Sequence, residues 1–145
     1  MKFDDLRSIA HNVADSLASG TSLLVNRWQM EIFEEARRSS KGFITVDFLT
    51  GATMGGVPST SLARDIALFP GALADLCIRH GTSSTVFKEL TARYSAEEGA
   101  RRVQVTVADH QGRRSVDEYD GNGKRLKVLD SVGRVRRKKG SVTRG

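Results

Sequence analysis

The 145-residue chain holds one cysteine, Cys77, two prolines and a single tryptophan. One thiol cannot close a disulfide within its own chain, so the fold must rest on its core, and a reducing cytoplasm suits it. No run approaches the ~18 consecutive apolar residues of a membrane-spanning helix, so no membrane partner is expected. The stretch Met1-Lys2-Phe3-Asp4-Asp5-Leu6 has no apolar segment of the kind a secretory signal carries. Zinc-ligand spacing, a nucleophile motif and a dinucleotide fingerprint are all missing. No cofactor or metal is therefore expected, no residue is nominated as catalytic, and the reading leans away from an enzyme. What is present is ordinary for a globular protein, 39% hydrophobic and 28% charged. At this length the prior is one domain, burying roughly 68% of its unfolded surface.

The formal net charge is +6, and its location matters more than its size. Arg134, Arg136, Arg137, Lys138, Lys139 and Arg144 lie in the last fourteen residues, which contain no acid. The remaining 131 residues hold seventeen basic and seventeen acidic side chains, so the excess belongs to the C-terminus alone. We therefore divide the chain into a single α+β domain over 1–131 and a basic tail over 132–145, of low hydrophobicity and expected to be disordered on its own. Val135 is apolar enough to extend the last strand briefly. Blocks of like charge are often interaction tails. Arg134, Arg136, Arg137, Lys138 and Lys139 are the residues that would touch a nucleic acid, with the strong salt dependence of phosphate contacts.

The clearest structural signal runs from Arg101 to Leu129. Val103, Val105 and Val107 alternate with polar neighbours, as in a strand with one buried face. Asp109-His110-Gln111-Gly112 and Asp120-Gly121-Asn122-Gly123 carry the residues that tolerate positive φ in tight turns. A three-stranded antiparallel meander follows, and its apolar face needs a cover. Its charged residues, by alternation, share the wet face as a mixture of both signs.

Earlier segments supply the cover. Phe3, Leu6, Ala10, Val13 and Leu17 fall on one helical stripe that ends at Ser19-Gly20. His11 and Asp15 lie one turn apart off that stripe, where a solvated contact outweighs a proton-transfer pair. Residues 21–38 read either way. Leu24, Trp28 and Ile32 suit a helix, whereas Leu23, Val25, Trp28, Met30 and Ile32 suit a strand with a bulge. We favour the strand, because Phe43 to Leu49 is a strand with Ile44, Val46 and Phe48 on one face, and Ser39-Ser40-Lys41-Gly42 would join the two as a hairpin. Asp47 then belongs to the solvent face rather than to a buried, pKa-shifted site.

The stretch 50–60 holds Gly51, Gly55 and Gly56 and is expected to be a mobile surface connection. It lacks the lysine of a phosphate-binding loop. Leu62, Ile66, Phe69, Leu73, Leu76 and Cys77 form a second helical stripe, capped by Ser59 or Ser61 and divided at Pro70. Cys77 is expected to be an inert core thiol, because a reactive thiolate needs a cationic, partly exposed setting.

Cys77 and Gly81, four residues apart, with Phe87 six residues after the glycine and Leu90 three further on, resemble a helix-turn-helix. The resemblance covers about twenty residues. It implies a second helix carrying Phe87, Leu90 and Tyr94, with the meander as the wing of a winged-helix-like segment at 72–119. His80 and Thr82 depart from the pattern, the latter where an apolar residue is usual. The implied recognition helix sets only Lys88 and Arg93 against Glu89, with Glu97 and Glu98 just beyond, a poor electrostatic footprint for DNA.

The expected architecture is α+β: an antiparallel sheet, built from an N-terminal hairpin and the C-terminal meander, covered on one face by three to four helices. The expected function is that of a small non-enzymatic binding or adaptor protein, its partner another protein or a second copy of itself. The alternative is a nucleic-acid-associated protein using the basic tail. An enzyme would require Asp47, Asp117 and Glu118 to converge in the fold.

Overall fold

The computed structural model describes residues 2–19, 28–121 and 124–132, with side chains left undescribed over 13–30, at 98 and over 129–132. The elements are α1 (Phe3–Ser19), α2 (Trp28–Arg38), β1 (Phe43–Asp47), β2 (Thr53–Met54), α3 (Thr60–Ile66), α4 (Phe69–Arg79), β3 (Phe87–Ser95), β4 (Arg102–Asp109), β5 (Arg114–Asp120) and β6 (Arg125–Val132). The strands form one antiparallel sheet in the order β2-β1-β3-β4-β5-β6. The fold is α+β, and helices cover one face of the sheet.

Alternation builds the covered face. Ile44 pairs with Tyr94, Tyr94 with Val103, and Val103 with Tyr119, so one buried row crosses four strands. Val46, Ala92 and Val105 make the next row, and Leu90 with Val107 continue it. Phe3, Leu6, Ile9 and Ala10 of α1 are buried in this core, as are Leu62, Ile66, Phe69, Leu73 and Cys77 of α3 and α4. Phe48 stacks on Phe69 at 5.2 Å between ring centroids, joining the end of β1 to α4. Ser59 caps α3, its hydroxyl accepting from the Leu62 N–H. Pro70 sits in the first turn of α4, where its missing N–H costs nothing, so it starts that helix rather than kinking one.

Two expectations are overturned. The described part of 21–38 is helix α2, not a strand, and residues 20–27 lie outside the described part. Ile32, Phe33 and Ala36 are buried on one helical face. Glu31 stands in the first turn, Arg37 and Arg38 in the last, matching the helix dipole. Arg37 binds Glu34, and Arg38 lies 2.6 Å from Glu35, both at i,i+3 spacing. The Ser39–Gly42 turn is present, with Gly42 at φ +78°, but it leads from a helix into β1. The N-terminal hairpin is instead β1 with the short β2, where Thr45 pairs with Met54.

The second correction removes the helix-turn-helix. Phe87–Ser95 is strand β3 in the middle of the sheet, so the winged-helix-like segment at 72–119 has no recognition helix. The spacing misled for a physical reason. A register shift between Phe87 and Glu89 inserts one residue, turning a step of two into the step of three from Phe87 to Leu90. Leu90 to Tyr94 is then two strand periods, and steps of three and four imitate a helix.

Within 50–60, the backbone of residues 53–56 is held against β1. Gly55 has φ +92°, and a Cβ there would stand 2.6 Å from the Phe43 carbonyl oxygen. A Cβ on Gly56 would meet Ile44 at 2.9 Å. The Ser39 hydroxyl donates to the Gly55 carbonyl. These two glycines let the loop press against β1, which accounts for them without a ligand.

Candidate functional site

Asp117 is the residue the sequence pattern did not single out for burial. It lies on β5 opposite Val105, at the end of the row of Val46, Ala92 and Val105, and is 1% exposed. An isolated carboxylate there would be costly, and three side chains meet it. His11 Nε2 is 2.8 Å from Oδ2, Ser115 Oγ donates to the same oxygen at 2.9 Å, and Arg7 Nη2 donates to Oδ1 at 3.4 Å. Arg7 and His11 are four apart, hence on the same side of α1, and that side passes over β5. The His11 ring also stands edge-on to Tyr119 at 5.8 Å between centroids. The partner of His11 is thus a strand residue 106 positions away. The Asp15 side chain lies outside the described part.

An ionised carboxylate only accepts hydrogen bonds, so it orients the imidazole with a proton on Nε2. The result is a cluster of Asp117 with His11, Ser115 and Arg7. It does not recruit the other carboxylates. Asp47 and Glu118 are on the opposite face of the sheet from Asp117, as the pairings of Asp47 with Thr91 and of Glu118 with Gln104 require. Asp47 accepts from the Leu49 N–H at 2.8 Å and so shapes the turn after β1, while Glu118 lies 4.0 Å from Lys127. The convergent triad of Asp47, Asp117 and Glu118 does not exist.

The outer face is different in kind. One row runs Met54, Thr45, Arg93, Gln104, Glu118 and Lys127. The next holds Asp47, Thr91, Thr106 and Val116. Small and polar side chains occupy its middle, and acids alternate with bases across it. Arg93 covers the Phe43 ring at 4.0 Å. The mixed-charge sheet face expected from the sequence is found, and no cationic groove interrupts it among the described residues.

The remaining candidates are structural. Cys77 is buried, and burial pushes its thiol pKa up, as suits a core residue. His110 hydrogen-bonds the Thr85 carbonyl at 3.0 Å. His80 lines a shallow groove of about 600 Å³ with Asp5, Ser8, Ile9 and Thr82. Burial opposes ionisation of Asp109, but hydrogen bonds from the Arg113 and Gln111 N–H groups and the Arg113 guanidinium hold its pKa below the ordinary value. Among the described residues no three His, Cys, Asp or Glu side chains gather as a metal site, and no helix is long and apolar enough to cross a membrane. Arg134, Arg136, Arg137, Lys138 and Lys139, expected to contact nucleic acid, lie outside the described part, as does Val135.

Fold and surface together define a class: an α+β domain whose single antiparallel sheet has helices on one face and, among the described residues, an open, mixed-charge face on the other. No protein-family model matches the chain, no curated protein is significantly similar to it, and no solved structure matches it significantly.

Proposed function

We propose that this chain is a non-enzymatic binding domain that docks on another protein through the outer face of its sheet. The observation that carries the reading is the uncovered face itself, small at its centre and balanced in charge. Six strands spaced about 4.8 Å apart and about 20 Å long give a face of about 500 Å² in projection, before side-chain relief is counted. That approaches the roughly 800 Å² per partner of a specific interface. A face bearing Arg93 and Lys127 beside Glu118 and Asp47 is complementary to its own copy. The partner is therefore a protein surface of mixed sign, and a second copy of this chain is the simplest one.

Sedimentation of the full chain over a concentration series tests this. Self-association is expected, and Thr106→Arg, at the centre of the face, should weaken it without shifting the unfolding midpoint. A wild-type chain that stays monomeric at every concentration would remove the second copy as partner. An association untouched by Thr106→Arg would remove this face.

The charge of 134–139 favours one further reading, a nucleic-acid-associated protein that uses its C-terminal residues. Because β6 ends at Val132, the chain is best cut after that residue. Retention on DNA that falls steeply with salt and disappears on truncation supports the reading. Retention unchanged by truncation excludes the tail as its cause.

A further inference from the structure

The cluster around Asp117 is on the covered side of the sheet and plays no part in that docking. Its bonds leave two groups with spare capacity. Arg7 carries five N–H donors; Nη2 reaches Asp117, whereas Nε is buried without a hydrogen-bond partner among the described residues. A buried donor in that state is a group awaiting an acceptor. His11 uses Nε2 on Asp117, and Nδ1 has no hydrogen-bond partner among the described residues. The Arg7 and His11 side chains are each about one-fifth exposed, so solvent reaches part of each, although the Arg7 Nε itself is buried.

Beside them the sheet is apolar and open. Val128 of β6 pairs with Asp117 and so stands on the same face. Val128 is 46% exposed; Leu126, the residue that a register shift inserts between Arg125 and Lys127, is 42% exposed. A half-exposed aliphatic residue on the same face as an Arg–His pair matches a molecule with a hydrocarbon body and an acceptor head.

We propose that Arg7 and His11 bind the head of a small apolar carboxylate, its hydrocarbon part lying against Val128, with Asp117 as the residue that positions both. The charge count specifies the chemistry. The Arg7 cation is balanced by Asp117, which leaves nothing to balance an incoming carboxylate unless His11 also becomes a cation. Binding therefore takes up one proton at Nδ1, and the protonated ring donates through Nε2 to Asp117 and through Nδ1 to the ligand. The described groups facing the His11 ring are Asp117, Tyr119 and Ser115 of β5 and Arg7 of its own helix. On β6 the nearest cation is Arg125, opposite Tyr119. Asp117 is the one carboxylate among these described groups; with its oxygens accepting from Arg7 and His11, the added proton is assigned to the free Nδ1 of the imidazole.

The test uses the full chain, labelled with ¹⁵N, and hexanoate as probe, with hexanamide as its uncharged counterpart. In the free protein the His11 ring should be the Nε2–H tautomer. Hexanoate should shift the His11 ring signals and the Val128 amide. Over a pH series covering the range of about 5 to 8, its affinity should fall with rising pH by up to about tenfold per unit, as uptake of one proton on binding requires. Hexanamide should bind far more weakly and without that slope. In Asp117→Asn, checked for folding by circular dichroism, the pH slope should be lost. An Nδ1–H tautomer, no shift at His11 with hexanoate at the acid end of the range, or equal binding of the amide would each overturn the proposal and leave an ordinary buried ion pair. Those wild-type outcomes decide the matter even where the variant does not fold.

Discussion

Along β3, β4 and β5 the two faces of the sheet differ by a single residue step and by nearly everything else. Tyr94 is fully buried against Phe33, with ring centroids 5.5 Å apart, while its neighbour Arg93 lies exposed over Phe43. Asp117 is enclosed and held by three partners, while Glu118 meets Lys127 at 4.0 Å at the surface. The same pair of residue types therefore carries different energies on the two sides. On the covered face an unmet charge or a lost ring leaves a gap that water cannot fill. On the outer face water replaces whatever is removed. Stability resides on one side, and the other is free to be shaped for contact.

Substitutions at neighbouring positions sharpen this contrast, and urea unfolding measures each. Tyr94→Ala should cost about 4 kcal/mol, the value for emptying a large buried ring site, against about 1 kcal/mol or less for Arg93→Ala, whose contact is an exposed cation–π pair. Equal losses at 93 and 94 would mean that the outer face is packed too. Asp117→Ala should cost about 3 kcal/mol, because Arg7 and His11 lose the carboxylate that balances them. Glu118→Ala should stay within about 1 kcal/mol, because its ion pair is a long one to the exposed Lys127, although Glu118 itself is half-buried. If Asp117→Ala were as mild as Glu118→Ala, the cluster would have to be far wetter than its geometry implies.

Two smaller effects test the turns. Gly55→Ala should cost more than about 2 kcal/mol, since left-handed backbone is disfavoured for alanine and its Cβ would also strike the Phe43 carbonyl. Gly112→Ala, at φ +84° with open space around it, should show only the conformational part, about 1 kcal/mol. The smallest effect concerns pH. The Asp109 carboxyl titrates below its unfolded value of about 3.9. Its contribution is thus complete above that value and disappears as the pH falls through the folded pKa. Asp109→Asn should flatten the dependence of the urea midpoint below about pH 4, and an unchanged slope would show that other carboxylates govern acid unfolding.

Much of the fold was legible because short-range patterns carried it. The period-two valines of β4, the turn residues at 109–112, the stripe of α1 and the Ser59 cap all report on neighbours within a few positions. Two segments misled because the pattern was locally degenerate. In β3 a bulge at Lys88 converted strand spacing into helical spacing. In α2 apolar residues at alternate positions imitated a strand, although the acidic start, the basic end and the group Ile32, Phe33 and Ala36 were available as helix signals. The candidate ligand site was the least legible. Asp117 sits in an ordinary strand alternation, and nothing near it in sequence marks His11, 106 residues earlier, as its partner.

By itself the order of residues determined the α+β class, the meander, the place of Cys77 in the core and the confinement of excess positive charge to the last fourteen positions. Each of these follows from side-chain chemistry repeated at a fixed period or counted along the chain. Tertiary structure alone decided that Phe87–Ser95 is a central strand, that Asp117 and Glu118 face opposite ways with opposite consequences, and that α1 brings Arg7 and His11 over β5. The reason is that burial belongs to the assembled sheet: a residue's partners across strands and helices, far off in sequence, set whether its charge meets water or another charge.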